Sequence, residues 1–125
     1  MKNFQKEGEN QTFTVPAGGV VSGTPVQIGA ALAVAAVTIT SAEVTADPTI
    51  QFEGKIRGVF EVTKVGSQAW TEGALVYWDD ANTRFTTSAA GGRLAGWATE
   101  AVASGAGDTT GHVYLDGVAR DNEAT

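Results

Sequence analysis

Glycine constrains this chain more than any other feature. Sixteen of its 125 residues are glycine. They follow no collagen-like period, so their use is to turn the backbone. A glycine or a cluster of Pro, Asn and Asp interrupts the sequence about every 8–12 residues, which is the punctuation of a small barrel or sandwich. No internal repeat stands out, and no segment reads as a long helix.

Between the breaks lie short β patterns. Gln11–Val15 alternates with Phe13 and Val15 on one face, and Pro16-Ala-Gly-Gly19 ends it. Val20–Thr24 and Pro25–Ile28 read as β segments around Gly23. From Gly29 to Val37 alanine favours helix. Ile28, Leu32, Val34 and Ala36 nevertheless fit a period of two, and the run flows into β-branched Val37-Thr-Ile-Thr40. That spacing predicts a strand, with a short buried helix as the alternative. Ser41–Pro48 reads as a polar connection. Thr49–Val65 is the clearest β pattern, with Gly54 and Gly58 marking a turn and a bulge or kink. Ala74–Trp78 and Arg84–Thr87 form a hairpin about Asp79-Asp-Ala-Asn82. Arg93–Ala98 is a further strand, Ser104–Gly111 a loop and His112–Leu115 the last strand. The expected fold is all-β: one small barrel or sandwich of about eight short strands. Residues 1–10 form an N-terminal arm, 11–118 the β domain and 119–125 a polar tail.

The apolar fraction is 42%, mostly Ala and Val. The core is therefore thin, or completed by neighbouring copies. There is no cysteine, which removes disulfides and thiolate chemistry. The net charge is −6 and the isoelectric point about 4.6. The eight Lys and Arg residues are scattered, the opposite of a phosphate-binding stripe, so no nucleic-acid partner is expected. The opening MKNFQKEGEN lacks the apolar run of a signal peptide. The stretch Ile28–Val37 is too short to span a bilayer, so no membrane partner is expected either.

Enzyme motifs are missing. No G-x-x-x-x-G-K-[ST] loop occurs, and Gly54-Lys55 lacks both the upstream glycine and the hydroxyl residue. The only histidine, His112, sits at a strand start and reads as an exposed residue without a catalytic role. Asp79 and Asp80 are neighbours on a strand, pointing to opposite faces, and they stand where a hairpin needs turn chemistry. No catalytic residue, metal ligand or cofactor site is expected.

Two features remain. The aromatics Trp70, Tyr77, Trp78 and Trp97 could form a core, a sugar-stacking platform or an interface. Trp70 and Trp78 read as core, and Trp97, opposite Leu94, Gly96 and Ala98 on its strand, reads as an interface residue. At the N-terminus, Met1–Gly8 carries one apolar anchor, Phe4, between Lys2 and Lys6, in the most basic stretch of an acidic chain. It is either a frayed end or an arm that docks on a partner.

The order of these residues resembles the phage capsid cement, or head decoration, family. The likeness begins at Met1, Asn3, Gln5 and Gly8, and continues through Val20-Val-Ser-Gly23 with Val26, Ile28 and Gly29. Gly58-Val-Phe-Glu-Val-Thr-Lys64 follows. The most distinctive stretch is Trp70-x-x-Gly73-x-x-Val76-Tyr77-Trp78-Asp79. Thr86-Thr, Gly91-Gly, Leu94-Ala-Gly-Trp-Ala98, Ala103-Ser-Gly105 and Val113-x-Leu-x-Gly117 complete it. Three places depart from the pattern. Lys6 stands where the arm's glutamine is expected, Trp97 replaces a small aliphatic, and Ile50–Lys55 is longer than usual. The resemblance implies a non-enzymatic virion protein, made in the host cytoplasm and bound to the outer surface of the head. Its implied partners are the major capsid protein and further copies of itself, as a homotrimer. A recombinase name once attached to the family finds no support in a chain without a nucleotide loop. The rival reading is a tail- or surface-associated module binding carbohydrate or protein.

Overall fold

The computed structural model describes residues 10–89 and 92–120. Nine strands are present among them: β1 (Asn10–Thr14), β2 (Pro25–Ile28), β3 (Ala31–Ala35), β4 (Gln51–Lys55), β5 (Arg57–Thr63), β6 (Leu75–Asp79), β7 (Arg84–Thr86), β8 (Arg93–Ala98) and β9 (Thr110–Asp116). They form two antiparallel sheets, ordered β1-β4-β3-β2 and β5-β9-β8-β6-β7. The second sheet curls. An isolated parallel bridge between Lys64 and Phe85 returns β7 to the end of β5. The all-β expectation holds, with nine strands where about eight were counted from turn signals.

Strand β3 divides the interior. Leu32 and Val34 face the curled sheet, in a core with Val62, Trp70, Val76, Trp78, Phe85, Ala95, Ala98, Val113 and Leu115. Ala35 faces the other way, into a smaller cluster with Val15, Val20, Ile39, Val44 and Phe52. A strand covered on both faces loses its hydrophobic alternation, which is why Gly29–Val37 was hard to tell from a buried helix.

Three local expectations need correction. Ser41–Ala46 is not a loop but a short helix, α1, of six residues. The Thr40 side chain accepts from Glu43 N–H, and the Glu43 carboxylate accepts from Thr40 N–H. This capping box is legible as Thr40-x-x-Glu43, and it sustains a helix too short to show apolar periodicity. Gly54 does not turn the chain. It lies inside β4 opposite Gln11, and the break between β4 and β5 falls at Ile56. Gly58, where a bulge or kink was expected, takes a positive φ of 125° but keeps its register opposite Leu115. Finally, Val20–Thr24 is not a strand, and only Val20 bridges, to Ile39.

Two buried cations fasten the fold. The Arg93 guanidinium donates to Ala30 O at 2.7 and 3.1 Å, to Leu94 O at 3.0 Å and to Val118 O at 2.6 Å. It thereby ties the β2–β3 turn of one sheet to β8 of the other and to the segment after β9. Burial, then the charge of nearby Arg120, holds its pKa below the ordinary arginine value, despite the opposing pull of Asp116. Lys64 Nζ donates to Val65 O at 2.7 Å and Asp108 O at 3.2 Å, and lies 5.6 Å from the Trp70 ring centre. It anchors the loop before β9.

Candidate functional site

The curled sheet turns one face inward and the other to solvent. Along β9, Gly111, Val113 and Leu115 are buried, and His112, Tyr114 and Asp116 point outward. The same alternation runs through β5 and β6. Strand pairing then aligns one outward residue from each of four neighbouring strands. Val59 pairs with Tyr114, Tyr114 with Trp97, and Trp97 with Leu75. The result is a continuous apolar row across β5, β9, β8 and β6. Val59, Trp97 and Leu75 are 57%, 41% and 55% exposed, among the most exposed large apolar residues described.

Two local devices shape the row. Tyr114 O lies so close to the Gly96 backbone that a Cβ there would sit 1.7 Å from it. Glycine alone lets β8 approach β9 this closely. The adjacent Trp97 ring then stacks on Tyr114, with centres 4.6 Å apart and planes at 22°. Between Val76 and Tyr77 the pairing with β8 slips, from Val76↔Gly96 to Tyr77↔Leu94. The slip leaves Ala95 as the extra residue of a bulge, turned into the core.

Carboxylates border the row. Two residues along from Tyr114, His112 pairs with Glu61 across the strands. Its Nδ1 meets Glu100 Oε1 at 2.5 Å, and its Nε2 lies 3.5 Å from Glu61 Oε2. His112, 39% exposed at its side chain, is thus engaged by two glutamates that the sequence did not announce. One imidazole between two carboxylates leaves that border negative even when the ring is charged. On the other side of Tyr114, Asp116 holds Arg120 through bonds of 3.0 and 2.7 Å. Burial raises the Asp116 pKa. Hydrogen bonds from Arg120 and the Val118 N–H, with the charges of Arg120 and Arg93, outweigh it and bring the pKa below 3.8.

The remaining sequence candidates fall elsewhere. Trp70 and Trp78 are 1% and 2% exposed and belong to the core. Trp70 lies on Gly111, where a Cβ would come within 2.6 Å of the ring, and its indole N–H donates to Gln68 Oε1. Trp70 therefore offers no face to a sugar. The Trp78 indole donates to Asp80 Oδ1 at 2.9 Å, and Asp79 accepts from Asn82 at 2.8 and 3.3 Å. Asp79 closes β6 opposite Arg84 and holds the turn through Asn82, and Asp80 lies in the turn itself. Gly73, at φ 85°, closes the turn before β6, and Tyr77 lies two residues from Leu75 on the outer face of that strand. Lys2, Phe4 and Lys6 lie outside the described residues. Sequence inspection singled out Trp97 but missed Val59, Leu75 and Tyr114. Period two along Val113-x-Leu115 already turns Tyr114 outward, yet which strands are neighbours is not written in any one segment.

Among the described residues no group of His, Asp and Glu is arranged to hold a metal. The model of the phage cement protein family matches residues 5–119. No curated protein and no solved structure matches the chain significantly.

Proposed function

Because the chain belongs to the phage cement protein family, a structural and capsid-associated family, we propose that it binds the outer surface of an assembled head and stabilises it by bridging capsid subunits. The observation that carries this reading is the row Val59–Tyr114–Trp97–Leu75. An acidic chain with net charge −6 has no folding reason to leave four apolar side chains in line on its surface. Such a row is worth keeping exposed where another protein covers it.

The partner in this reading is the major capsid protein, and the site of action is the virion exterior after synthesis in the host cytoplasm. The protein acts through binding free energy and not through chemistry. It engages the shell as a homotrimer, so that modest contacts add through effective concentration. Each occupied site favours the assembled shell by mass action.

The test is co-sedimentation with expanded heads that lack the protein. Wild-type protein should saturate the particles, and Leu75→Lys combined with Trp97→Lys should lose at least about tenfold in affinity, the equivalent of roughly 1.4 kcal/mol. Both positions are exposed, so the variant should keep its fold. Unchanged occupancy by the variant would remove the row from the interface. Failure of the wild-type protein to bind any head would remove the reading itself.

A further inference from the structure

Strand β5 is the longest of the strands that end the two sheets, and its outer edge carries a self-complementary sequence. We propose that two copies of this chain pair edge to edge through β5, antiparallel about Val59, with Arg57 of each opposite Glu61 of the other. This goes beyond shell binding and does not rest on it.

Backbone direction leaves that edge open. The Lys64 N–H donates to Thr109 O at 2.7 Å, and the Thr99 N–H donates to His112 O at 3.0 Å. The first bond turns the Lys64 backbone toward β9 and, by period two, those of Val62, Phe60 and Gly58 with it. The second turns His112, which pairs with Glu61, away from β5 and toward β8. Val59, Glu61 and Thr63 therefore direct their N–H and C=O groups away from β9. Val65 continues that series, and its N–H donates to Phe85 O at 3.0 Å, where β7 comes alongside. Among the described residues nothing answers the outward backbone groups of Val59 and Glu61. A seven-residue end strand with unpaired groups at its centre is a template for another strand. By contrast, β2 opens on Pro25, and β7 has three residues.

Side chains select a second copy as the occupant. Arg57, Val59 and Glu61 alternate outward, and Val59 is 57% exposed. In a pairing centred on Val59, the valine meets the partner's Val59, and two Arg57–Glu61 contacts form across the joint. Opposite charges directly across two strands attract, and like charges repel. A guanidinium carries several N–H donors, so this contact does not require Arg57 to be otherwise unbonded. A register centred on Glu61 would set carboxylate against carboxylate. It would also move the second strand toward Thr24, Pro25 and Thr83, which line a cavity of about 170 Å³ beside Glu61 and Thr63. Registers centred on Gly58 or Phe60 would set Val59 against a charge. The Val59 register also joins two apolar rows end to end, because Val59 is the last member of the row. A trimer has no two-fold axis, so this contact links copies from different trimers.

Sedimentation of the full-length protein should show a concentration-dependent step that doubles the mass. Arg57→Glu or Glu61→Arg alone should weaken that step at least about tenfold, by setting like charges together. The double variant restores opposite charges across the joint and should return to within about threefold of wild type. Within one chain the two residues stand about 13 Å apart along the strand, so no internal ion pair explains such a rescue. The chain contains no cysteine, so a single introduced thiol reports its own position. Val59→Cys would face its symmetry mate at about 5.5 Å between Cα atoms, within disulfide reach. It should form covalent dimers about tenfold faster than Leu75→Cys, similarly exposed at the far end of the row. Absence of the mass-doubling step would overturn the proposal, as would a step indifferent to the single reversals or a double variant no better than either. Equal or faster dimers from Leu75→Cys would overturn it in favour of face-to-face packing of the rows. A protein that passes these tests but binds no head would refute shell binding alone.

Discussion

The two cores of this molecule are built on different principles. The core under the curled sheet is aromatic, with Trp70, Trp78 and Phe85 fully enclosed, and Trp78 and Phe85 packed with ring centres 4.9 Å apart. The core beneath the other face of β3 is aliphatic apart from Phe52, against which half-buried Phe13 packs at 5.7 Å. Large rings bury more apolar area per ordered residue, and therefore more stabilisation per unit of chain entropy lost. The curled sheet should accordingly be the stable body on which the exposed row is carried. The four-stranded sheet with α1 leans on it through the shared strand β3 and through Arg93.

The largest effect expected from this contrast is in the cores themselves. Trp78→Ala should cost about 3–5 kcal/mol, and Val44→Ala, in the aliphatic cluster, about 2 kcal/mol. Denaturant unfolding of both variants measures the difference. Equal losses would mean that the two cores are energetically one.

Arg93→Met tests the connection between the sheets and should cost about 2–3 kcal/mol. The Val118 carbonyl loses its donor, whereas Ala30 O still accepts from Arg120 N–H and Leu94 O from Arg120 Nη1. Hydrogen exchange should show the loss concentrated at the β2–β3 turn and at residues after β9. A loss spread evenly over both sheets would show that Arg93 does not act as a local tie.

The smallest expected effect is on pH dependence. The Asp116 pKa lies below 3.8 in the folded protein, so as pH falls the unfolded chain takes up this proton first. The stabilisation is full above 3.8 and fades as pH drops through the lower folded value. Asp116→Asn should therefore be less stable than wild type near neutrality, with the gap closing as pH falls below that value. A gap independent of pH in thermal melts would show that the carboxylate charge contributes nothing.

What the sequence determined alone was what local physics decides. Glycine and turn spacing dictated an all-β chain of short strands, and period two marked Leu32 and Val34 as strand positions in an alanine-rich run. Order along the chain was enough to place it among phage cement proteins. The capping box at Thr40 was equally present in the sequence, although the brevity of α1 concealed it. Tertiary structure decided the rest because pairing between strands is non-local. Nothing near Trp97 in sequence states that Tyr114 and Leu75 flank it, or that Val59 continues the row. Nothing near Arg93 predicts carbonyls from residues 30 and 118. Those neighbours follow from the strand order β5-β9-β8-β6 and from the way β3 serves both cores. Only packing of the whole chain selects one such order among the pairings the individual strands would accept.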